Sequence, residues 1–199
     1  MKHTLNTIAI LTATIISSHA ATITMDTASF VSDSESTNIP KGSGVVSIGT
    51  YNAFPVLGAS PTNSEVTDSY FELSLETFDS PLVSDGFFRF DLDVPISNFF
   101  NNKDIFVVLG NGTTVQDSTD LLVWQPTSNA DGNVFIEDNP IGGPGSIVLN
   151  NDNGNVLLGS FDSGANTFRM ASLATVPEPS SIALSGLALL ALAGRRSRK

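Results

Sequence analysis

The chain has 199 residues and no cysteine, and its two histidines, His3 and His19, both lie near the N-terminus. Without cysteine there is no disulfide framework and no thiolate nucleophile, so redox compartment cannot be read from cysteine usage. If the first twenty residues are a removable leader, as argued below, the mature chain also lacks histidine. That excludes Ser-His-Asp and Cys-His nucleophile systems, and with them any imidazole- or thiolate-ligated zinc, copper or iron site. Tryptophan and tyrosine are scarce as well, one and two residues against 13 phenylalanines. Sugar sites that stack rings on exposed Trp or Tyr therefore have few side chains to draw on.

Positive charge is missing from the body of the chain. Residues 21–175 carry 19 acidic residues against Lys41, Arg89, Lys103 and Arg169, a formal charge of −15. Such a surface repels phosphate backbones and anionic headgroups, so no nucleic-acid partner is expected. It keeps an exported protein dispersed and would attract cations such as Ca²⁺.

The ends differ from the middle. MKHTLNTIAILTATIISSHAATIT opens with Lys2, continues through an apolar stretch from Leu5 to Ile16, and reaches Ser18-His19-Ala20. Small residues at the −3 and −1 positions place signal-peptide cleavage after Ala20. At the other end stands VPEPSSIALSGLALLALAGRRSRK, residues 176–199. Pro177 and Pro179 forbid a helix across themselves and hold Glu178 extended and exposed. Ser180 and Ser181 are suited to cap a helix over the apolar run Ile182 to Ala193. Ser180 to Gly194 would span about 22 Å as a helix, marginal against a hydrocarbon core of about 30 Å. Arg195, Arg196, Arg198 and Lys199 behind it should remain cytoplasmic by the positive-inside rule.

Triplet, apolar span and basic cluster together resemble the PEP-CTERM sorting signal of Gram-negative bacteria, over about 24 residues of the chain. The resemblance implies handling by exosortase, a membrane-embedded cysteine transpeptidase-like enzyme, near Pro177-Glu178-Pro179. It also implies an exopolysaccharide-producing host. Nothing about the sorted domain follows from it.

Between Ala21 and Thr175 the hydrophobic period is two. In FFRFDLDV, Phe88, Phe90, Leu92 and Val94 alternate with Arg89, Asp91 and Asp93. In YFELSLETF, Phe71, Leu73 and Leu75 are expected inward and Glu72, Ser74 and Glu76 outward. IFVVLG (105–110) and LLVW (121–124) are continuously apolar, as central strands covered on both sides are. SIVLNNDNGNVLLGSF reads as a hairpin turning at Asn153-Gly154, Asn111-Gly112 and Asp131-Gly132 mark further turns, and NTFRMASL supplies a last strand. Residues 38–44 and 54–65 read as loops, and no window shows a helical stripe. The fold expected is a single all-β domain, an antiparallel β-sandwich or jelly roll.

The chemistry that survives is carboxylate chemistry. Asp91 and Asp93 would lie about 6.7 Å apart along one strand face, and Glu72 and Glu76 about twice that. Strand alternation already turns these residues toward water, so no catalytic residue is assigned and no enzyme is expected. Asp162-Ser163-Gly164 matches one half of an aspartic-protease signature but reads as a turn. Aligned on Gly154, NNDNGN offers Leu149 at the first ligand position and Ser160 at the twelfth, so it is not an EF-hand. Asp131, Asp138 and Asp152 are the acidic loop residues a Ca²⁺ ion would use, and no other cofactor is expected. Trp124 sits in an apolar run and reads as core; Tyr51 and Tyr70 sit near strand ends.

The organisation expected is thus a signal peptide (1–20), a β domain (21–175), the triplet and linker (176–181), a short transmembrane helix (182–194) and a basic tail (195–199). The expected partners are signal peptidase with the secretion machinery, the exosortase-like enzyme, the inner membrane and exopolysaccharide. The chain would be exported, held at the inner membrane, then released to the cell surface or matrix. The role expected for the β domain is structural or adhesive, with a carbohydrate- or Ca²⁺-binding module as the alternative and a carboxylate-dependent hydrolase behind it.

Overall fold

A computed structural model describes residues 21–78, 84–94, 99–127, 134–135 and 146–175. The period-two segments all become strands, and the fold is all-β, with one helical turn among the described residues. Five strands, β3 (Val45–Tyr51), β4 (Tyr70–Thr77), β6 (Phe106–Gly110), β7 (Asp120–Pro126) and β12 (Ala171–Ser172), form one sheet in the order β12-β7-β6-β3-β4. The sixth, β9 (Gly154–Leu158), shares the outer edge of β7 with β12. A second sheet has the order β5-β1-β8, from β1 (Ala21–Thr27), β5 (Arg89–Val94) and β8 (Ser146–Leu149). A third joins β10 (Ser160–Asp162), β11 (Thr167–Arg169) and β2 (Phe30–Ser32).

The continuously apolar strands are central for the reason their sequences imply. Every residue of β3 and β6 is buried, because both faces of the six-stranded sheet are covered. On one face Val46, Ile48, Val107, Leu109, Leu122 and Trp124 join Ile23 and Met25 of β1 and Ile147 and Leu149 of β8 in a single apolar cluster. On the other, Val45, Tyr51, Val108, Leu121 and Val123 pack with Val66, Val115 and Leu173, which belong to a helical turn, a loop and the chain's exit.

Three local expectations are corrected. The segment 146–161 is not a hairpin: β8 pairs with β1 and β9 pairs with β7, so residues 150–153 cross from one sheet to another. Gly154 is needed there for space, because a Cβ would fall on the Trp124 indole. The pairing is also not purely antiparallel, since β1–β8 and β2–β11 run parallel. In β4, Phe71 is 37% exposed whereas Tyr70 is buried. The register steps between Ile48 and Gly49, leaving Leu73 as an unpaired bulge residue, so the faces swap along the strand. Tyr70 then lies over Gly49, and Phe71 opposite Thr50 faces out.

The Asn111-Gly112 turn is present and is held by Asn111, whose Oδ1 accepts from the Thr119 and Asp120 amides at 3.0 Å each. The last predicted strand is split at Met170 into β11 and β12, which join different sheets. Asp131-Gly132, Phe90 and Val94 side chains lie outside what is described.

Candidate functional site

The site is built where the body releases its C-terminus. Ser172 pairs with Asp120, and the Leu173 amide donates to Thr119 O at 2.9 Å. Leu173 is buried against the second cluster, and the Ala174 amide donates to Pro61 O at 2.9 Å in a parallel bridge with Thr62. Thr175 is exposed. Among the described residues, backbone anchoring to the body therefore ends at Ala174.

The strand that Ala174 pairs with runs directly into α1 (Asn63–Thr67). The loop expected over residues 54–65 thus runs into a helical turn, and Thr62-Asn63-Ser64-Glu65 has the capping-box spacing that signals it. Both halves of the box form. The Glu65 amide donates to Thr62 Oγ1 at 3.3 Å, and the Thr62 amide donates to Glu65 Oε2 at 2.7 Å. The Thr62 amide, and after it the Thr62 hydroxyl donating to Glu65 Oε2 at 2.9 Å, hold the Glu65 carboxyl below its ordinary range. Asn63 Nδ2 donates to Val115 O at 2.9 Å and Ser118 O at 2.8 Å, clamping the 111–119 loop onto the helix. Within that loop Asp117 accepts from Thr113 Oγ1 and the Thr114 amide, both at 2.7 Å, and its carboxyl is likewise lowered. Between α1 and residues 116–119 lies a groove of about 740 Å³, and Leu173, Ala174 and Thr175 form part of its wall.

The C-terminal residues 175–199 match the family model described as the PEP-CTERM protein-sorting motif. The chain carries this sorting signal. It marks an exported protein targeted to exosortase. The match begins one residue after the last backbone tie to the body among the described residues, the Ala174 bridge. No curated protein and no solved structure matches the chain.

The residues expected to act in sorting, Pro177, Glu178 and Pro179 with Arg195, Arg196, Arg198 and Lys199, lie outside the described residues, as does Ala20. So does the apolar run from Ile182. Among the described residues no helix is long and apolar enough to cross a membrane.

Of the Ca²⁺ candidates, Asp131 and Asp138 also lie outside, and Asp152 sits in the 150–153 crossover, where its amide donates to Asn150 Oδ1 at 2.9 Å. No group of three or more His, Cys, Asp or Glu able to hold a metal occurs among the described residues. Asp91 Oδ1 accepts from Thr24 Oγ1 at 2.6 Å, and Glu72 Oε2 accepts from Ser47 Oγ at 3.1 Å. Asp162 Oδ1 accepts from the Gly164 and Ala165 amides and closes the β10–β11 turn. Trp124, Tyr51 and Tyr70 are 1%, 5% and 8% exposed, so the chain's Trp and Tyr residues all belong to the interior. Burial pushes both tyrosine hydroxyls well above their usual range, although Tyr70 also shares a 2.8 Å hydrogen bond with Ser47.

Proposed function

We propose that the β body is a structural or adhesive component of the cell surface or extracellular matrix, delivered by the sorting motif. The carrying observation is the join at residue 174. The described body has its own two-sided core, and its last described backbone tie falls one residue before the matched motif; this supports a motif that can be handled without disturbing the fold. In this reading the sheets facing each other across the larger cluster make a sandwich of the jelly-roll type. The leader ending at Ala20 is removed by signal peptidase. The run from Ile182 holds the chain at the inner membrane with the basic tail inside, and exosortase acts near Glu178.

The buried Trp and Tyr residues support a body whose aromatics serve packing rather than stacking on sugars. The hydroxyl-bonded carboxylates of Asp91 and Glu72 support a non-enzymatic role. One observation favours the alternative of a carbohydrate-binding module: Asn151, Asp152, Phe161, Ser163 and Asn166 line a shared recess of about 460 Å³.

The deciding measurement is mass spectrometry of the mature protein from cells, paired with fractionation. A C-terminus trimmed near the triplet, on protein found in the surface or matrix fraction, is expected. The intact tail through Lys199 on finished protein would refute processing. Specific retention on one polysaccharide, abolished by Asp152→Ala with Phe161→Ala, would move the reading to the binding module.

A further inference from the structure

We propose that the groove between α1 and residues 116–119 seats the segment following Thr175, Val176–Pro179, so that the folded body presents the sorting triplet in extended form. The inference rests on the sorting motif and not on the adhesive role.

Three observations lead there. First, Leu173, Ala174 and Thr175, the last described residues of the chain, already line the groove. Second, its direction is set. The parallel bridge of Ala174 with Thr62 runs the exiting chain beside the backbone that enters α1 at Asn63. Four further extended residues reach about 13 Å, enough to follow the groove past the first turn of the helix.

Third, the hydrogen-bonding needs match. Pro177 and Pro179 have no N–H, so Val176–Pro179 has four carbonyl acceptors and only two amide donors. The groove offers side-chain donors to such a segment. The Gln116 amide is exposed and makes no hydrogen bond among the described residues, and the Ser64 hydroxyl has only a 3.5 Å contact with Thr62 Oγ1. Asn63 holds the two walls at fixed separation through its paired bonds to Val115 and Ser118. The face carrying α1 and residues 116–119 is then the one that meets the processing enzyme.

The absence of native cysteine makes the test clean. In the full chain in detergent micelles, Glu178→Cys is combined with Gln116→Cys or Ser64→Cys on the two walls. The control combines it with Glu76→Cys, an exposed position on β4 at the far edge of the sheet. Trp124 emission confirms that each variant is folded. Under mild oxidation both groove pairs should form the intramolecular disulfide about tenfold or more faster than the control, because seating raises the local thiol concentration. A ratio below about threefold for either pair overturns the seating. That result would leave sorting and the adhesive role standing, since a disulfide rate measures neither.

Discussion

Gly154→Ala tests the account of the core directly. An added methyl falls on the Trp124 indole ring and lies 2.6 Å from Gln125 O. Trp124 is 1% exposed and belongs to the cluster between the sheets, so the ring has no free space to move into. Overpacking of this kind costs about 2–3 kcal/mol, against about 0.4–1 kcal/mol gained by stiffening the unfolded chain. A net loss near 2 kcal/mol, with a urea m-value of about 2 kcal/mol/M, lowers the unfolding midpoint by about 1 M. The assay is built in, because Trp124 is the only tryptophan and its emission shifts to the red on unfolding. Gly58→Ala is the matched control: nothing lies within 4 Å of its added methyl. Its midpoint should hold or rise slightly. If the two variants unfold within about 0.3 M of each other, a difference near 0.6 kcal/mol, the close approach of Gly154 to Trp124 is wrong.

Three further outcomes are expected. A chain ending at Thr175 should melt with the full body, whereas ending at Met170 removes β12 with its pairing to β7, the Leu173 anchor and the backbone bonds of Leu173 and Ala174; Leu173→Ala alone should cost about 2 kcal/mol in urea unfolding. Thr62→Ala breaks the capping box and should cost about 1 kcal/mol, with an effect on tail accessibility to added protease that a remote surface substitution does not share. The folded tyrosines titrate above their unfolded value near 10, so their contribution to stability is complete below that pH and is lost as pH rises beyond it. Absorbance of tyrosinate at about 295 nm should therefore appear together with the Trp124 red shift in alkali; ionisation preceding unfolding would contradict their burial. Conversely, Glu65 and Asp117 are lowered, so what they contribute is present above the usual carboxylate range and is lost as pH falls through it.

Strand identity and the sorting motif were legible in the sequence because both depend on local pattern. Period-two alternation placed Phe88 and Leu92 inside, and the uninterrupted apolar runs of β6 and β7 marked the sheet's centre. The triplet, apolar run and arginines are contiguous, so no folding is needed to recognise them. The capping box at Thr62 is equally local, but a helix of five residues is too short to show a hydrophobic stripe.

Partner choice was decided only in three dimensions. Asn153-Gly154 favours a tight turn locally, but β8 gains more by pairing with β1 and β9 by covering the edge of β7. The bulge at Leu73 exchanges the inner and outer faces of β4, a step that no alternation count can register. The groove at the exit joins residues 63–68, 116–119 and 173–175, brought together by the Asn63 clamp and the Ala174 bridge. A linear pattern records which side of a strand is apolar; which neighbour covers that side depends on contacts between residues far apart in the chain, and only packing sets those.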